Sequence, residues 1–277
     1  MTINEFIIAA LAEDIGIGDH TSLACIQQAA LGKARLLVKE DGIAAGIELA
    51  NSIFHQVDSE LEVTVYIRDG NSIKVGDIVL EVTGSSRSIL TAERLVLNCA
   101  QRMSGIATLT SKFVEQVKGT NAKLLDTRKT TPLFRYMEKW AVRIGGGYNH
   151  RFGLYDMIMI KDNHVDYAGG IKNAIEFATN YIKEKQLTLK IEIETRNLTE
   201  VKEVMNAGGV DRIMLDNFSI PELRAAVLLI NNAYETEASG GINLNSIRSF
   251  AETGVDFISC GALTHSAHNL DLSLKAF

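Results

Sequence analysis

The chain has 277 residues, of which 46% are hydrophobic and 22% are charged, a composition typical of an ordinary soluble globular protein. Its formal charge of −6 disfavours a protein that binds nucleic acid or an anionic membrane. Three widely spaced cysteines predict reduced thiols in the cytoplasm rather than a disulfide framework or a zinc site. No apolar run approaches the roughly 20 residues that a membrane-spanning helix needs.

The first hundred or so residues mix helical and strand patterns, which predicts an α+β unit. A long helical stretch runs from Thr91 to Val117, with an expected interruption near Ser104-Gly105. Before it, apolar periodicity and turn residues predict helices over 2–12 and 46–57 and strands over 33–39, 61–67 and 78–83.

The second part of the chain alternates apolar strand-like runs with amphipathic stretches, which favours a parallel sheet. At least six units favour a closed or nearly closed (β/α) barrel, and the open doubly wound sheet remains the alternative. No GxGxxG follows an early strand, which counts against a dinucleotide fold. The predicted strands are 123–125, 157–160, 189–193, 212–215, 235–238 and 256–259.

A polar motif stands at the end of each of these six runs. In a barrel all strand ends of this kind face one rim, where active sites are built. We therefore expect six separate segments to meet around one mouth. They are Asp126-Thr127-Arg128-Lys129, Lys161-Asp162-Asn163-His164, Glu194, Asp216-Asn217, Ser239-Gly240-Gly241 and Cys260-Gly261-Ala262.

The segment from Asp126 to His164 carries a net charge of +3, from seven Lys or Arg and four acidic residues, inside an acidic chain. Clustered cations predict a pocket for an anion that bears several charges. Helical spacing favours a solvated helix face for three of them, Arg135, Lys139 and Arg143. The pocket is predicted for four others at strand ends or in the glycine-rich loop 145–151, namely Arg128, Lys129, Arg151 and Lys161.

Two carboxylates and two glycine-containing loops complete the expected rim. Glu194 and Asp216 end consecutive strands and could hold Mg²⁺ or face a developing positive charge, although helix capping is the alternative. The loops 239–241 and 260–262 end the last two strands. Such late barrel loops commonly bind phosphate through backbone N–H groups, with simple tight turns as the alternative.

Seven segments stand out in this order along the chain: EDIGIGDHTS, NCAQRMSGIAT, DTRKTTP, EKWAVRIGGGYNHR, IKDNH, LDN and EASGGI. Together they resemble quinolinate phosphoribosyltransferase, that is, nicotinate-nucleotide pyrophosphorylase (carboxylating). The resemblance runs from about Glu13 to Phe277. One departure is visible, because Leu133-Phe134 follows Pro132 where the family pattern has Gly-Leu.

The resemblance implies an α/β chain with an N-terminal α+β open-faced sandwich over 1–103. An incomplete, seven-stranded α/β barrel of the TIM-barrel type follows over 104–277, with the extreme C-terminus packing back on the first domain. It further implies a homodimer with shared active sites, in which Arg102 acts in the neighbour's site. Assembly of dimers into hexamers is left open.

The implied reaction joins quinolinate to 5-phosphoribosyl 1-pyrophosphate with decarboxylation, with Mg²⁺ as cofactor, in NAD biosynthesis. The quinolinate carboxylates would be bound by Arg102, Arg128, His150, Arg151 and Lys161. Phosphoribosyl pyrophosphate or its Mg²⁺ would contact Lys129, Lys161, Glu194, Asp216, Ser239, Gly240, Gly261 and His265. The substrate-binding residues would further include Thr127, Gly241, Cys260 and Ala262. Of these, the catalytic roles fall to Lys129, Lys161, Glu194 and Asp216, and the metal to Glu194 and Asp216.

Three alternatives remain at this point. One is a relative of the same fold that has lost this substrate, such as the molybdenum-transport-associated homologues. Another is a non-catalytic protein that binds a small anion on the same scaffold. The third is a phosphate-binding barrel enzyme such as an aldolase, in which Lys161 would form a Schiff base.

Overall fold

The computed structural model describes residues 2–277, which form two compact units. The elements up to Val117 are α1 (Ile3–Ile15), α2 (His20–Cys25), β1 (Leu31–Val38), β2 (Gly42–Ile43), α3 (Ile47–Val57), β3 (Glu62–Val65), β4 (Ser72–Ile73), β5 (Ile78–Ser85) and α4 (Ser86–Val117). The later elements are β6 (Lys123–Leu125), α5 (Arg135–Ile144), β7 (Ile158–Ile160), α6 (Asp162–Ala168), α7 (Ile171–Lys185), β8 (Ile191–Thr195), α8 (Leu198–Ala207), β9 (Arg212–Asp216), α9 (Ile220–Ile230), β10 (Glu235–Ser239), α10 (Ile247–Ala251), β11 (Phe257–Ser259), α11 (Ala262–His265) and β12 (Leu272–Ala276).

Within the described residues, the first unit comprises 2–111, 130–146 and 264–277 and is built on an antiparallel sheet in the order β12-β1-β5-β3. Burial alternates along β1, with Ala34, Leu36 and Val38 buried, because successive side chains of a strand point to opposite faces. Helix α3 buries an apolar stripe that includes Ile53 and Phe54. The unit is therefore a sheet with helices on its apolar face, as an open-faced sandwich requires.

The C-terminal strand β12 belongs to this same sheet. It pairs antiparallel with β1, with Leu36 opposite Leu274, although the two strands are more than 230 residues apart in the chain. Nε2 of Gln101 donates to the carbonyl of Leu272 at 2.8 Å. The domain boundary expected after residue 103 stays a prediction, because each compact unit is made of several separate segments of the chain.

Helix α4 is continuous from Ser86 to Val117, so the interruption expected near Ser104-Gly105 is wrong. A glycine in a helix interior weakens it, which made the break plausible. Here Gly105 has a packing role instead, because a Cβ at this position would collide with the carbonyl of His268 and lie 3.2 Å from Cα of Asn269. The glycine allows two backbones to pack closely, and the helix continues through it.

The second unit comprises residues 112–129 and 147–263 and is built on a parallel sheet in the order β6-β11-β10-β9-β8-β7. Tyr148 adds a one-residue parallel bridge to Leu125, so a seventh extended segment lies outside β6. The sheet remains open between this bridge and β7 within the described part of the chain. The predicted α/β class with an incomplete barrel is thereby confirmed, with six strands and a single bridge in the place of the seventh.

None of the helices in residues 2–277 combines the length and apolar character that crossing a membrane requires.

Candidate active site

The carboxyl ends of the six parallel strands lie along one edge of the sheet. In the register of the sheet Asp216 is paired with Ser239, Thr195 with Leu215, and Ser259 with Leu125. The segments that follow these positions are those that carry the predicted site residues. Parallel pairing thus brings together groups that are up to about 130 residues apart in sequence.

An ion pair joins two of the neighbouring strand ends. Nζ of Lys161, directly after β7, lies 2.7 Å from Oε2 of Glu194 in β8. The Lys161 side chain is 45% exposed and that of Glu194 is 10% exposed, so the lysine reaches solvent while the glutamate is largely buried. A lysine held in this way offers its remaining donors to an anionic ligand.

Asp216 ends β9 on a tight turn. Asn217, the next residue, has a positive φ of 57° and donates from Nδ2 to Oδ2 of Asp216 at 2.5 Å. Its backbone N–H donates to the carbonyl of Ser239 at 2.9 Å. A side chain at Gly240 would collide with that of Asn217, which explains the glycine at this point. These bonds hold the carboxylate of Asp216 beside the 239–241 loop.

Arg128 and Arg151 come close enough to repel each other. Burial, and then the positive charge of Arg128, lower the pKa of Arg151. The guanidinium of Arg151 is partly held by the carbonyl of Met157, which accepts from Nη1 at 3.1 Å. Two cations placed together favour an anion with more than one charge.

The loop after β11 approaches the segment after β6. The N–H of Cys260 donates to the carbonyl of Leu125 at 2.9 Å, and the positive charge of Lys129 is close enough to act on the Cys260 thiol. That thiol is buried, points to the carbonyl of Ile242 at 3.2 Å, and has its pKa raised by burial. Any ligand contact from Cys260 would therefore come from its backbone and not from its thiol. Thr127 accepts from the N–H of Lys129 at 3.1 Å and shapes the same turn.

Arg102 and His265 lie in the first unit. The Arg102 guanidinium donates to Oε1 of Glu138 at 2.8 and 3.0 Å, to the carbonyl of Ala267 at 2.8 Å and to the carbonyl of Thr264. The Arg102 guanidinium thus already donates to three residues of its own chain, and its action in a neighbouring site stays a prediction. His265 is exposed, with Nδ1 2.7 Å from the hydroxyl of Ser266.

Glu138 was not expected among the functional residues. It is fully buried, and besides the Arg102 guanidinium it accepts hydrogen bonds from the N–H and the hydroxyl of Thr131 at 3.1 and 2.9 Å.

The prediction that Lys139 lies on a solvated face of helix α5 is wrong, because this residue is only 2% exposed. The helix buries residues 137–139 and 141–142, so Lys139 points inward with Glu138.

His150 lies inside the second unit, between two buried glutamates. Its Nε2 is 3.0 Å from Oε2 of Glu192 and 3.4 Å from Oε2 of Glu237. Its Nδ1 accepts from the N–H of Arg151 at 2.7 Å. Both ring nitrogens therefore face groups of this chain, and the predicted contact of His150 with a substrate carboxylate stays a prediction.

Arg212 balances the charge of this cluster. Its Nη1 lies 2.8 Å from Oε2 of Glu237, and its Nη2 lies 3.0 Å from Oε2 of Glu235. His150, Glu192 and Glu237 carry ligand atoms close enough to chelate a metal ion. Because the guanidinium of Arg212 already pairs with Glu237, the carboxylates have a cationic partner without a metal.

The protonation of the cluster follows from burial and from these contacts. Burial alone would lower the pKa of His150, but Glu192 and Glu237 raise it to about 9. The amide of Arg151 opposes a second ring proton, since it needs a lone pair on Nδ1. Burial and the charge of Glu237 raise the pKa of Glu192, whereas His150, Ser259 and Arg212 outweigh burial and lower the pKa of Glu237. In either state of the ring, Nε2 carries the proton and lies close to both carboxylates.

The sequence did hold a signal for this cluster. Charged residues inside otherwise apolar parallel strands are rarely buried without partners. Glu192 and Glu237 each stand two residues before a predicted site residue, Glu194 and Ser239, and hence on the same strand face. The pairing with His150 could not be read from spacing, because it joins three separate segments.

The fold and this edge together define a class: an α/β protein of the barrel type whose strand ends carry clustered cations and carboxylates. A family model described as quinolinate phosphoribosyl transferase, N-terminal domain, matches residues 19–104, and the model of its C-terminal domain matches residues 106–275. The chain therefore belongs to the quinolinate phosphoribosyl transferase family.

Named relatives agree with this membership. The chloroplastic nicotinate-nucleotide pyrophosphorylase (carboxylating) of Oryza sativa subsp. japonica is 47% identical over 281 residues, covering 96% of this chain and 75% of the relative. The probable nicotinate-nucleotide pyrophosphorylase (carboxylating) of Bacillus subtilis is 42% identical, covering 95% and 89%. The crystal structure of NadC from Streptococcus pyogenes superposes with a TM-score of 0.93 at 41% identity, covering 99% of this chain and 95% of that one.

Proposed function

We propose that this protein transfers the phosphoribosyl group of 5-phosphoribosyl 1-pyrophosphate to quinolinate and releases carbon dioxide, which makes it a pentosyltransferase of NAD biosynthesis. The products are nicotinate mononucleotide, pyrophosphate and CO₂. One observation carries the proposal: a single sheet edge presents adjacent cations at Arg128 and Arg151, and the Lys161–Glu194 ion pair beside Asp216. The reaction needs cations to bind the two carboxylates of quinolinate, and it needs carboxylates to stabilise the positive charge that develops on the ribose.

The reaction begins at C1 of the ribose. The bond from C1 to the pyrophosphate oxygen breaks, and the leaving group keeps both electrons. As C1 gains oxocarbenium character, Glu194 and Asp216 stabilise its positive charge electrostatically. The ring nitrogen of quinolinate then forms the new bond to C1. Positioning two anions against each other is the main task of the protein, and the cations at the sheet edge perform it.

Decarboxylation follows from the charge of the product ring. Once its nitrogen is bonded to C1 the pyridine ring is cationic, so C2 can keep the electron pair when its bond to the carboxylate breaks. CO₂ leaves, and C2 takes a proton from solvent. Arg128, Arg151 and Lys161 would bind the two carboxylates up to this point, together with His150. Loss of one carboxylate as CO₂ then removes a negative charge and weakens the binding of the product.

Mg²⁺ is part of the proposal, and the carboxylates at the edge fit it. Glu194 and Asp216 supply oxygen ligands, and Mg²⁺ commonly needs only one or two carboxylates when substrate phosphates provide the remaining oxygens. The ion would offset the negative charge of the pyrophosphate. Lys129 and the backbone of the 239–241 and 260–262 loops would contact the phosphates.

The decisive test is a reaction of the pure protein with quinolinate, phosphoribosyl pyrophosphate and Mg²⁺, followed by chromatography. We expect nicotinate mononucleotide and one pyrophosphate for each CO₂. Nicotinate in place of quinolinate is the control and should give no product. Binding of quinolinate without release of pyrophosphate would instead identify a non-catalytic member of the fold.

We further propose a homodimer in which Arg102 completes the partner's site. The test mixes two variants whose own activity should be low, Arg102→Ala and Lys161→Met. If the site is shared, mixed dimers regain one intact site, and random exchange restores about one quarter of wild-type activity. No recovery after denaturation and joint refolding would assign Arg102 to its own chain.

The cytoplasmic location is likewise a proposal, supported by the cysteine usage: Cys25, Cys99 and Cys260 are all free thiols in the structure. The relatives differ in location, since the name of the rice protein places it in the chloroplast. Fractionation of the source cells with an antibody against this chain tests the location directly.

A further inference from the structure

We propose that Glu192 and Glu237 are positioning residues of the substrate site: they orient the His150 ring and, through it, the backbone of Arg151. The inference rests on the proposed function, in which Arg151 binds a carboxylate of quinolinate. It goes further by assigning a task to a buried layer of charged residues that does not touch the substrate.

The layer lies directly beneath the sheet edge that carries the site. Side chains at i and i+2 of a strand share a face, so Glu192 lies under Glu194 in β8, and Glu237 lies under Ser239 in β10. The rise of a strand puts about 6–7 Å between the two levels. Barrel interiors are built from such layers, normally of apolar side chains. A charged layer at this level therefore calls for an explanation.

His150 connects this lower layer with the upper one. Its Nε2 lies 3.0 Å from Glu192 and 3.4 Å from Glu237, while its Nδ1 accepts from the N–H of Arg151 at 2.7 Å. The ring is therefore hydrogen-bonded at Nδ1 and lies within ion-pair distance of both carboxylates at Nε2, and His150 is only 8% exposed. Rotation of the ring would break the Arg151 contact, so the orientation set by the carboxylates is transmitted to the next residue.

A second buried carboxylate fixes the backbone of the same segment. Oδ1 of Asp126 accepts from the N–H of His150 at 2.9 Å, and Oδ2 accepts from Nδ2 of Asn149 at 2.6 Å. Asp126 sets where the segment lies, which leaves the ring of His150 as the element that Glu192 and Glu237 control. The two functions are separable by mutation.

Replacement of Glu237 by Gln tests this without changing the size of the side chain. The carboxylate serves Nη1 of Arg212, the ring of His150 and the hydroxyl of Ser259. An amide has one acceptor oxygen for these donors, and its NH₂ group would face N–H groups. The ring of His150 should then lose its fixed orientation. Glu235→Gln is the matched control, since Glu235 shares the strand and the partner Arg212 but does not face His150.

A purely structural role for the cluster makes a different prediction. Loss of stability would lower the fraction of folded enzyme and reduce kcat while leaving both KM values unchanged. Positioning of Arg151 instead acts on the quinolinate side alone. For Glu237→Gln and Glu192→Gln we expect KM for quinolinate to rise about 10- to 100-fold, as displaced groups near a reacting centre commonly cause. KM for phosphoribosyl pyrophosphate should stay unchanged.

A double-mutant cycle shows whether Glu237 acts through His150. If it does, Glu237→Gln raises KM for quinolinate in the wild type but has no further effect on a His150→Ala background. Glu235→Gln should leave KM unchanged on both backgrounds. Equal effects of Glu237→Gln on the two backgrounds, or an unchanged KM in both Gln variants, would overturn the inference. If Glu237→Gln does not fold, Glu192→Gln carries the same cycle. A wild type without turnover would instead refute the proposed function.

Discussion

Nζ of Lys161 and Oε2 of Glu194 lie 2.7 Å apart and join the ends of two adjacent parallel strands. The pair has a double consequence. It holds Lys161 at the edge of the sheet, where an anionic ligand would arrive, and it keeps the carboxylate of Glu194 beside the proposed path of the ribose. Its value here is therefore positional.

Lys161→Met is expected to impair binding rather than folding. A charge-assisted hydrogen bond is worth about 1.5–3 kcal/mol, so kcat/KM for quinolinate should fall roughly 10- to 100-fold or more. The melting temperature should change little, because the lysine side chain is 45% exposed. Lys190→Met is the control, since Lys190 also pairs with a glutamate, at 3.5 Å, but before β8 instead of after β7. Unchanged kinetics in Lys161→Met would remove this residue from the site.

Arg128→Ala should weaken quinolinate binding while it relieves the charge repulsion on Arg151. We expect a rise of KM for quinolinate of roughly 10- to 100-fold, corresponding to one lost charge-assisted contact. Calorimetric titration with quinolinate measures the same loss without turnover. Arg224→Ala, at an exposed position of helix α9, is the control and should bind as the wild type does. Wild-type affinity in Arg128→Ala would contradict the carboxylate site as proposed.

The three thiols should differ sharply in reactivity. Cys25 is exposed, whereas Cys99 and Cys260 are buried, and burial raises the pKa of Cys99 to about 12. Because the thiolate is the reacting species, iodoacetamide at pH 8 should alkylate Cys25 alone in the native protein. All three thiols should react in denaturant, as peptide mass spectrometry can show. Native labelling of Cys99 at a rate close to that of Cys25 would mean that helix α4 is not packed as described.

Leu133→Gly should stabilise the protein. Leu133 has a positive φ of 63°, and a leucine in this region costs about 1–2 kcal/mol. Glycine removes that cost but loses about 0.5–1 kcal/mol of backbone entropy on folding, so the net gain is up to about 1.5 kcal/mol. For a chain of this size the melting temperature should rise by roughly 1–3 °C.

Leu133→Ala is the matched control for that variant, because it removes the 76% exposed side chain but keeps the Cβ that causes the strain. It should melt within about 1 °C of the wild type. Equal stabilisation by both substitutions would show that loss of the leucine side chain, and not the backbone, was responsible. Leu133 stands where the family pattern has glycine, and its positive φ is one that glycine adopts without steric cost.

Much of the second unit could be predicted from local pattern. The strand expected at 123–125 coincides with β6, and those expected at 212–215 and 235–238 fall one residue short of β9 and β10. Buried parallel strands read as continuous apolar runs, and Gly or Asn marks their ends. The break expected in helix α4 failed because the glycine that suggested it serves a long-range contact.

Local sequence thus determined the elements, the alternation that makes a parallel sheet, and the polar residues at strand ends. Those features depend on neighbours only a few residues apart, through periodicity and backbone preference. Only the tertiary structure decided that β12 joins β1, that Glu138 holds Arg102, and that His150 lies between Glu192 and Glu237. These contacts join segments that are tens to hundreds of residues apart, and no local preference encodes which of many possible partners a buried charge will meet.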